Sequence, residues 1–142
     1  MIRAMTSGDK PAVLEMMRTF YASPAVFSNG SDAIFSADID ACVGDSPYLE
    51  GYVFEDGGRL QGYAMLAKSF STEFGKPCIW IEDLYIDASQ RGRGLGGAFL
   101  DFVAAQYPDC LLRLEAEAEN EGAVRLYERH GFTALPYMEM KK

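Results

Sequence analysis

The chain has 142 residues, 49% hydrophobic and 13% aromatic, enough for one sizeable core and too few for a second full domain, so residues 1–142 read as one domain. The formal net charge of −8 excludes nonspecific nucleic-acid binding, which needs a basic surface, and is compatible with a cationic substrate. Three widely spaced cysteines and one histidine argue against a disulfide scaffold and exclude a histidine-rich metal centre, while no apolar stretch approaches the roughly 20 residues of a membrane span. With no signal-peptide pattern at the start, the expectation is a soluble, cytoplasmic protein without a metal, membrane or nucleic-acid partner.

In chain order, "MIRAM" reads as a short strand. "SGDKPAVLEMMRTFYAS" reads as a helix with Val13, Leu14, Met17 and Tyr21 on one face, Ser7 or Asp9 as its cap, and Ser23-Pro24 as its stop. "SDAIFSADIDACVG" predicts a second helix capped at Ser31 or Asp32 and ended by Gly44. Two β-rich runs then flank Asp56-Gly57-Gly58, a turn that needs residues tolerant of positive φ, and "PCIWIEDLYID" follows as a third strand after Gly75-Lys76-Pro77. Leu95, Phe99, Phe102 and Val103 fall at helical spacing before Pro108, and "CLLRLEAEA" predicts another strand. Asn120 caps a last helix that ends at His130-Gly131, where a cationic histidine would offset the helix dipole; "FTALPYMEMKK" is expected to close the sheet as a strand.

The glycines of "DASQRGRGLGGAFLDF" match G-x-G-x-x-G at Gly92, Gly94 and Gly97, the dinucleotide fingerprint. A Rossmann site requires the first glycine to turn the chain directly off its strand, whereas Asp87 to Arg91 intervene after Ile86, and the preceding strands are hairpin-linked. A phosphate-cradling Walker loop fails too, because Ala98 and Phe99 stand where Lys and Ser/Thr are required. What remains is a strand, a glycine-rich loop and a helix whose first amides can bind an anion, with Arg91 and Arg93 adding charge.

Arg91-Gly92-Arg93-Gly94-Leu95-Gly96 resembles the R/Q-x-x-G-x-G/A pyrophosphate loop of the GNAT N-acetyltransferase superfamily. "NEGAVRLYERHGF", Asn120 to Phe132, is similar to that family's N-x-x-A-x-x-L-Y-x-x-x-G-F motif. The resemblance covers essentially the whole chain. It implies a mixed α/β (α+β) fold, with a mostly antiparallel central sheet flanked by helices and a splayed strand pair forming a slot for acetyl-CoA. By the same resemblance Arg91, Gly92, Arg93, Gly94, Leu95, Gly96 and Gly97 receive the pyrophosphate, the backbone of Leu84, Tyr85 and Ile86 pairs with the pantetheine arm, and Asn120 touches CoA.

Acetyl transfer to an amine needs a proton acceptor, because an alkylammonium of pKa ~10.4 is not nucleophilic at neutral pH. Glu82 and Asp83 are the candidates. Strand alternation points them to opposite faces, and Glu82, expected to line the cleft with Leu84 and Ile86, is taken as the base. "WIEDLYI" is similar to the run before the glycine loop in polyamine (diamine) acetyltransferases, which implies a water-assisted role for the acid. By resemblance Tyr127 is the general acid that protonates the leaving thiolate. The implied reaction is direct attack by a primary amine of a small cationic acceptor, with protein, amino-acid and aminoglycoside amines as alternatives. Pro24 to Gly51, with Tyr21, Phe27, Phe35 and Tyr48, is expected to form part of the acceptor wall. A non-catalytic CoA-binding or regulatory domain is the competing reading, and family members are often homodimers.

Overall fold

The computed structural model describes residues 1–142. Ile2–Ala4 (β1), Leu49–Asp56 (β2), Arg59–Ser71 (β3), Lys76–Ile86 (β4) and Leu111–Leu114 (β5) form one sheet in the order β1-β2-β3-β4-β5. The first four pair antiparallel and β5 joins β4 in parallel. Lys10–Tyr21 (α1) and Asp32–Val43 (α2) cover one face of the sheet; Leu95–Gln106 (α3) and Glu121–Arg129 (α4) cover the other.

Period-two alternation divides the core in two. Val53, Tyr63, Met65 and Tyr85 pack beneath α1 and α2 with Val13, Met17, Phe35 and Ile39. Tyr52, Phe54, Ala64, Leu66, Ile79 and Ile81 pack beneath α3 with Phe99, Leu100 and Val103. The sheet is thus buried on both sides, which explains why β3 reads as a nearly continuous apolar run.

Local signals set most boundaries. Ser31 Oγ accepts the Ile34 amide at 3.2 Å to cap α2, and Gly57 and Gly58 take φ of 57° and 78° in the β2–β3 hairpin. Asp9 has another task than the expected cap of α1. Its carboxylate takes both terminal nitrogens of Arg3 at 2.9 Å, while Arg3 Nε reaches Glu55 at 3.0 Å, tying the start of the chain to β2. This bidentate pairing holds the Asp9 carboxyl down at about 2.

The chain end departs from expectation. The closing strand expected over "FTALPYMEMKK" does not form: residues 133–142 are irregular, and no backbone hydrogen bond extends past Phe132. Pro136 has no amide hydrogen to give a ladder, and Glu139 comes to lie beside Glu115, just after β5.

The alternation expected along β4 is also broken. Met65 pairs with Asp83 but Leu66 pairs with Ile81, so Glu82 is the extra residue of a β-bulge and the pattern slips there. Ile79 and Ile81 before the bulge, and Leu84 and Ile86 after it, all face α3.

Candidate active site

The bulge changes what β4 presents. Glu82 and Asp83, expected on opposite faces, line the same cavity of about 170 Å³ together with Tyr21, Asp38, Leu49, Met65 and Ala67. Leu84 and Ile86 pack on the far side of the sheet, so Glu82 does not share a wall with them. Of the four aromatic residues expected in the acceptor wall, only Tyr21 lines the cavity. Phe35 is buried behind it with ring centroids 4.9 Å apart, and Phe27 and Tyr48 are 88% and 70% exposed. Asp38 and Leu49 fall within the expected wall segment Pro24 to Gly51 without standing out there, because an acid on a helix face means little until packing gives it neighbours.

Asp83 is buried, and each of its oxygens accepts one hydroxyl: Tyr21 Oη donates to Oδ1 at 2.9 Å and Tyr63 Oη donates to Oδ2 at 2.7 Å. Burial pushes the Asp83 carboxyl up, and the two hydroxyls offset part of that shift. Glu82 is pushed up by desolvation first and then by the charges of Asp83, Glu139 and Asp38. Desolvation, followed by Asp83, raises Asp38 as well. Of the cations on the elements that line the cavity, Lys10 and Arg18 on α1 pair with Asp40 and Asp32, and Lys68 on β3 pairs with Glu50.

Beyond Ile81 the two parallel strands part. The last pair is Ile81 with Leu114, so Glu82–Ile86 have no β5 partner; Asp83–Ile86 pair only with β3 and Glu82 is bulged. The glycine-rich loop follows after the short turn Ala88–Gln90. Asp87 Oδ1 accepts the Ser89 amide at 2.9 Å, and Arg91 Nε donates to the Ile86 carbonyl at 3.0 Å, bracing the loop against the strand end. Gly92 and Gly94 take φ of 78° and 79°, the left-handed region open to glycine, and a Cβ at either would meet nothing within 4 Å. Gly94 caps α3 without a side chain. The first helical bond is Ala98 N to Gly94 O, leaving the amides of Leu95, Gly96 and Gly97 without intrahelical partners.

Gly96 and Gly97 have a packing reason as well. A Cβ at Gly96 would lie 3.1 Å from Leu126 Cδ2, and one at Gly97 would lie 2.7 Å from His130 Nε2, so both let α4 approach α3. His130 ends α4, and its Nδ1 lies 3.0 Å from Asp101 on α3. Asn120 Oδ1 accepts the Ala123 amide at 3.4 Å at the start of α4. Tyr127 sits two turns further on, half-buried, with its ring edge-on to Phe132 at 6.1 Å. Burial raises its hydroxyl pKa.

A larger cavity of about 250 Å³, lined by Ala4, Met5, Cys42, Glu50, Gly51 and Tyr52, lies at the β1–β2 edge away from the strand split. Its one carboxylate, Glu50, already accepts Lys68 and Tyr52 at 2.6 Å each and Tyr107 besides.

The acetyltransferase (GNAT) family model matches residues 13–132. No curated protein matches the chain significantly in sequence. Among solved structures, the chain is similar to a possible acetyltransferase from Clostridium difficile 630, with 16% identity, a TM-score of 0.85, and coverage of 100% of this chain and 95% of the other. It is similar to a ribosomal-protein-alanine N-acetyltransferase from Brucella melitensis biovar Abortus 2308, with 18% identity, a TM-score of 0.80, and coverage of 100% and 97%. An aminoglycoside N-acetyltransferase in complex with CoA matches with 15% identity, a TM-score of 0.82, and coverage of 100% and 93%. At these identities the likeness is one of fold.

Proposed function

The chain belongs to the GNAT acetyltransferase family, and from that premise we propose that it transfers an acetyl group from acetyl-CoA to a primary amine of a small cationic acceptor. The observation that carries the reading is the parting of β4 from β5 beyond Ile81, with an acidic cavity beside Glu82 and a glycine-rich loop at the end of the same strand.

The residues present suit acetyl-CoA, which when bound supplies an acyl group activated as a thioester. The free amides of Leu95, Gly96 and Gly97 and the side chain of Arg93 suit a diphosphate, with Gly92 and Gly94 giving the loop its left-handed turns. Arg91 keeps its terminal nitrogens available while Nε braces the strand end. The edge of β4 at Leu84, Tyr85 and Ile86 suits an amide-bearing arm, as in strand addition. Asn120 Nδ2 is free of the cap bond and is the group left for a cofactor contact.

Glu82 accepts the proton of the acceptor ammonium, directly or through one water. Its raised pKa brings it closer to neutral pH, where a general base is most effective. Tyr127 Oη, a phenol protonated at neutral pH whose pKa burial raises further, holds a proton available to a departing thiolate.

The test has two stages. Acetyl-CoA should raise the melting temperature and NADH should not; the reverse result overturns the cofactor assignment. Thiol release on adding alkylamines then reports transfer, and binding of acetyl-CoA with no turnover of any amine would leave a non-catalytic CoA-binding domain in its place.

A further inference from the structure

The hydrogens around Asp83 are fixed. Tyr63 is fully buried, so its hydroxyl must keep Asp83 Oδ2 as its acceptor, and the carboxylate cannot turn away. Tyr21 spends its one hydroxyl hydrogen on Oδ1. Tyr21 is also the one cavity-lining residue with a side-chain hydrogen to donate, since Asp38, Glu82 and Asp83 are acceptors when ionised and Leu49, Met65 and Ala67 are apolar. Every polar side-chain atom that lines the cavity is therefore offered as a hydrogen-bond acceptor.

We propose that Asp83 is a positioning residue that commits the Tyr21 hydrogen and leaves Tyr21 Oη to the substrate as an acceptor only, and that the resulting donor-free cavity restricts the acceptor to an alkylammonium without a nearby carboxylate. The inference rests on the acetyl-transfer reading of this cavity and narrows its substrate class. An ammonium brings hydrogens that Tyr21 Oη and the carboxylates can accept. A carboxylate on the same molecule would find no side-chain donor and would face like charge, which disfavours amino acids as acceptors.

The test compares n-butylamine with 3-aminopropanoate in the full-length protein, by the ratio of their kcat/KM values and by the thermal shift each produces. Wild type should prefer n-butylamine by about 100-fold or more. Asp83→Asn keeps the shape but brings an amide that donates to one tyrosine. The buried Tyr63 hydrogen still needs the remaining oxygen, so the amide nitrogen faces Tyr21 and releases the Tyr21 hydrogen toward the cavity. The preference should then fall about tenfold. Asp38→Asn removes one charge without touching Tyr21 and should reduce it less. Tyr21→Phe should raise KM for n-butylamine several-fold, with kcat little changed, and keep the preference, because no donor is gained.

Equal use of the two acceptors by wild type, or parallel losses on both in Asp83→Asn, would overturn the inference while leaving acetyl transfer intact. Should Asp83→Asn fail to fold, the wild-type ratio and the KM effect of Tyr21→Phe decide. If wild type acetylates neither amine nor any other, the underlying reading fails and this inference with it.

Discussion

The two halves of the candidate site are built differently. The half assigned to the cofactor comes from two contiguous stretches, Leu84 to Gly97 and Asn120 to Tyr127, and works largely through backbone: left-handed glycines, free helix amides and an unpaired strand edge. The acceptor half gathers Tyr21, Asp38, Leu49, Met65, Ala67, Glu82 and Asp83 from α1, α2 and three strands, and works through side chains whose carboxyl pKa values burial has raised. A backbone site can be written in a short motif, whereas a side-chain site depends on where distant segments meet.

This division predicts separable defects. The largest is expected at Tyr127, where Phe keeps the ring against Phe132 and removes only the hydroxyl. Tyr127→Phe should lower kcat by about 10²-fold or more and leave acetyl-CoA affinity near wild type, measured by steady-state kinetics and calorimetry. Full activity in that variant would make Tyr127 a packing residue.

Glu82→Gln should cost about 10²-fold at neutral pH and recover partly at high pH, where free amine is abundant. An unchanged pH–rate profile would remove Glu82 as the base. A large loss of acetyl-CoA affinity here would break the division between the halves.

Gly94→Val acts on the other half. Its φ of 79° is strained for a β-branched residue, at a cost of about 1–3 kcal/mol, and the thermal shift with acetyl-CoA should disappear. A normal shift would show that the loop does not hold the cofactor.

The smallest effect concerns the chain end. Glu139, lying beside Glu115, raises that carboxyl to about 7, with desolvation adding to the shift. A carboxyl raised on folding binds more protons in the native state, so its contribution to stability is lost as pH rises from about 4.5 toward 7. Glu139→Gln should flatten that part of the melting-temperature profile relative to wild type. An identical slope would mean that the pair does not share a proton.

Much of the fold is legible in the sequence because its signals are local. Ser31 and Asn120 cap helices through their own side chains, Gly57-Gly58 and Gly131 adopt the positive φ their turns need, and the two family motifs lie within short segments. The same locality exposes the glycine loop and α4 as candidates before any packing is known.

Tertiary structure decided the rest. The bulge at Glu82 arises only in the register of β3 against β4, and it alone turns Glu82 and Asp83 toward one cavity. Asp38 gains significance only when α2, packed against α1 and β2, brings it to the cavity of Glu82 and Asp83, and the tail reads as a strand because its composition hides the meeting of Glu139 with Glu115. Caps, turns and helix faces follow from the short-range hydrogen bonding and periodicity of adjacent residues; register and the meeting of distant carboxyls follow from long-range packing, which no stretch of sequence contains by itself.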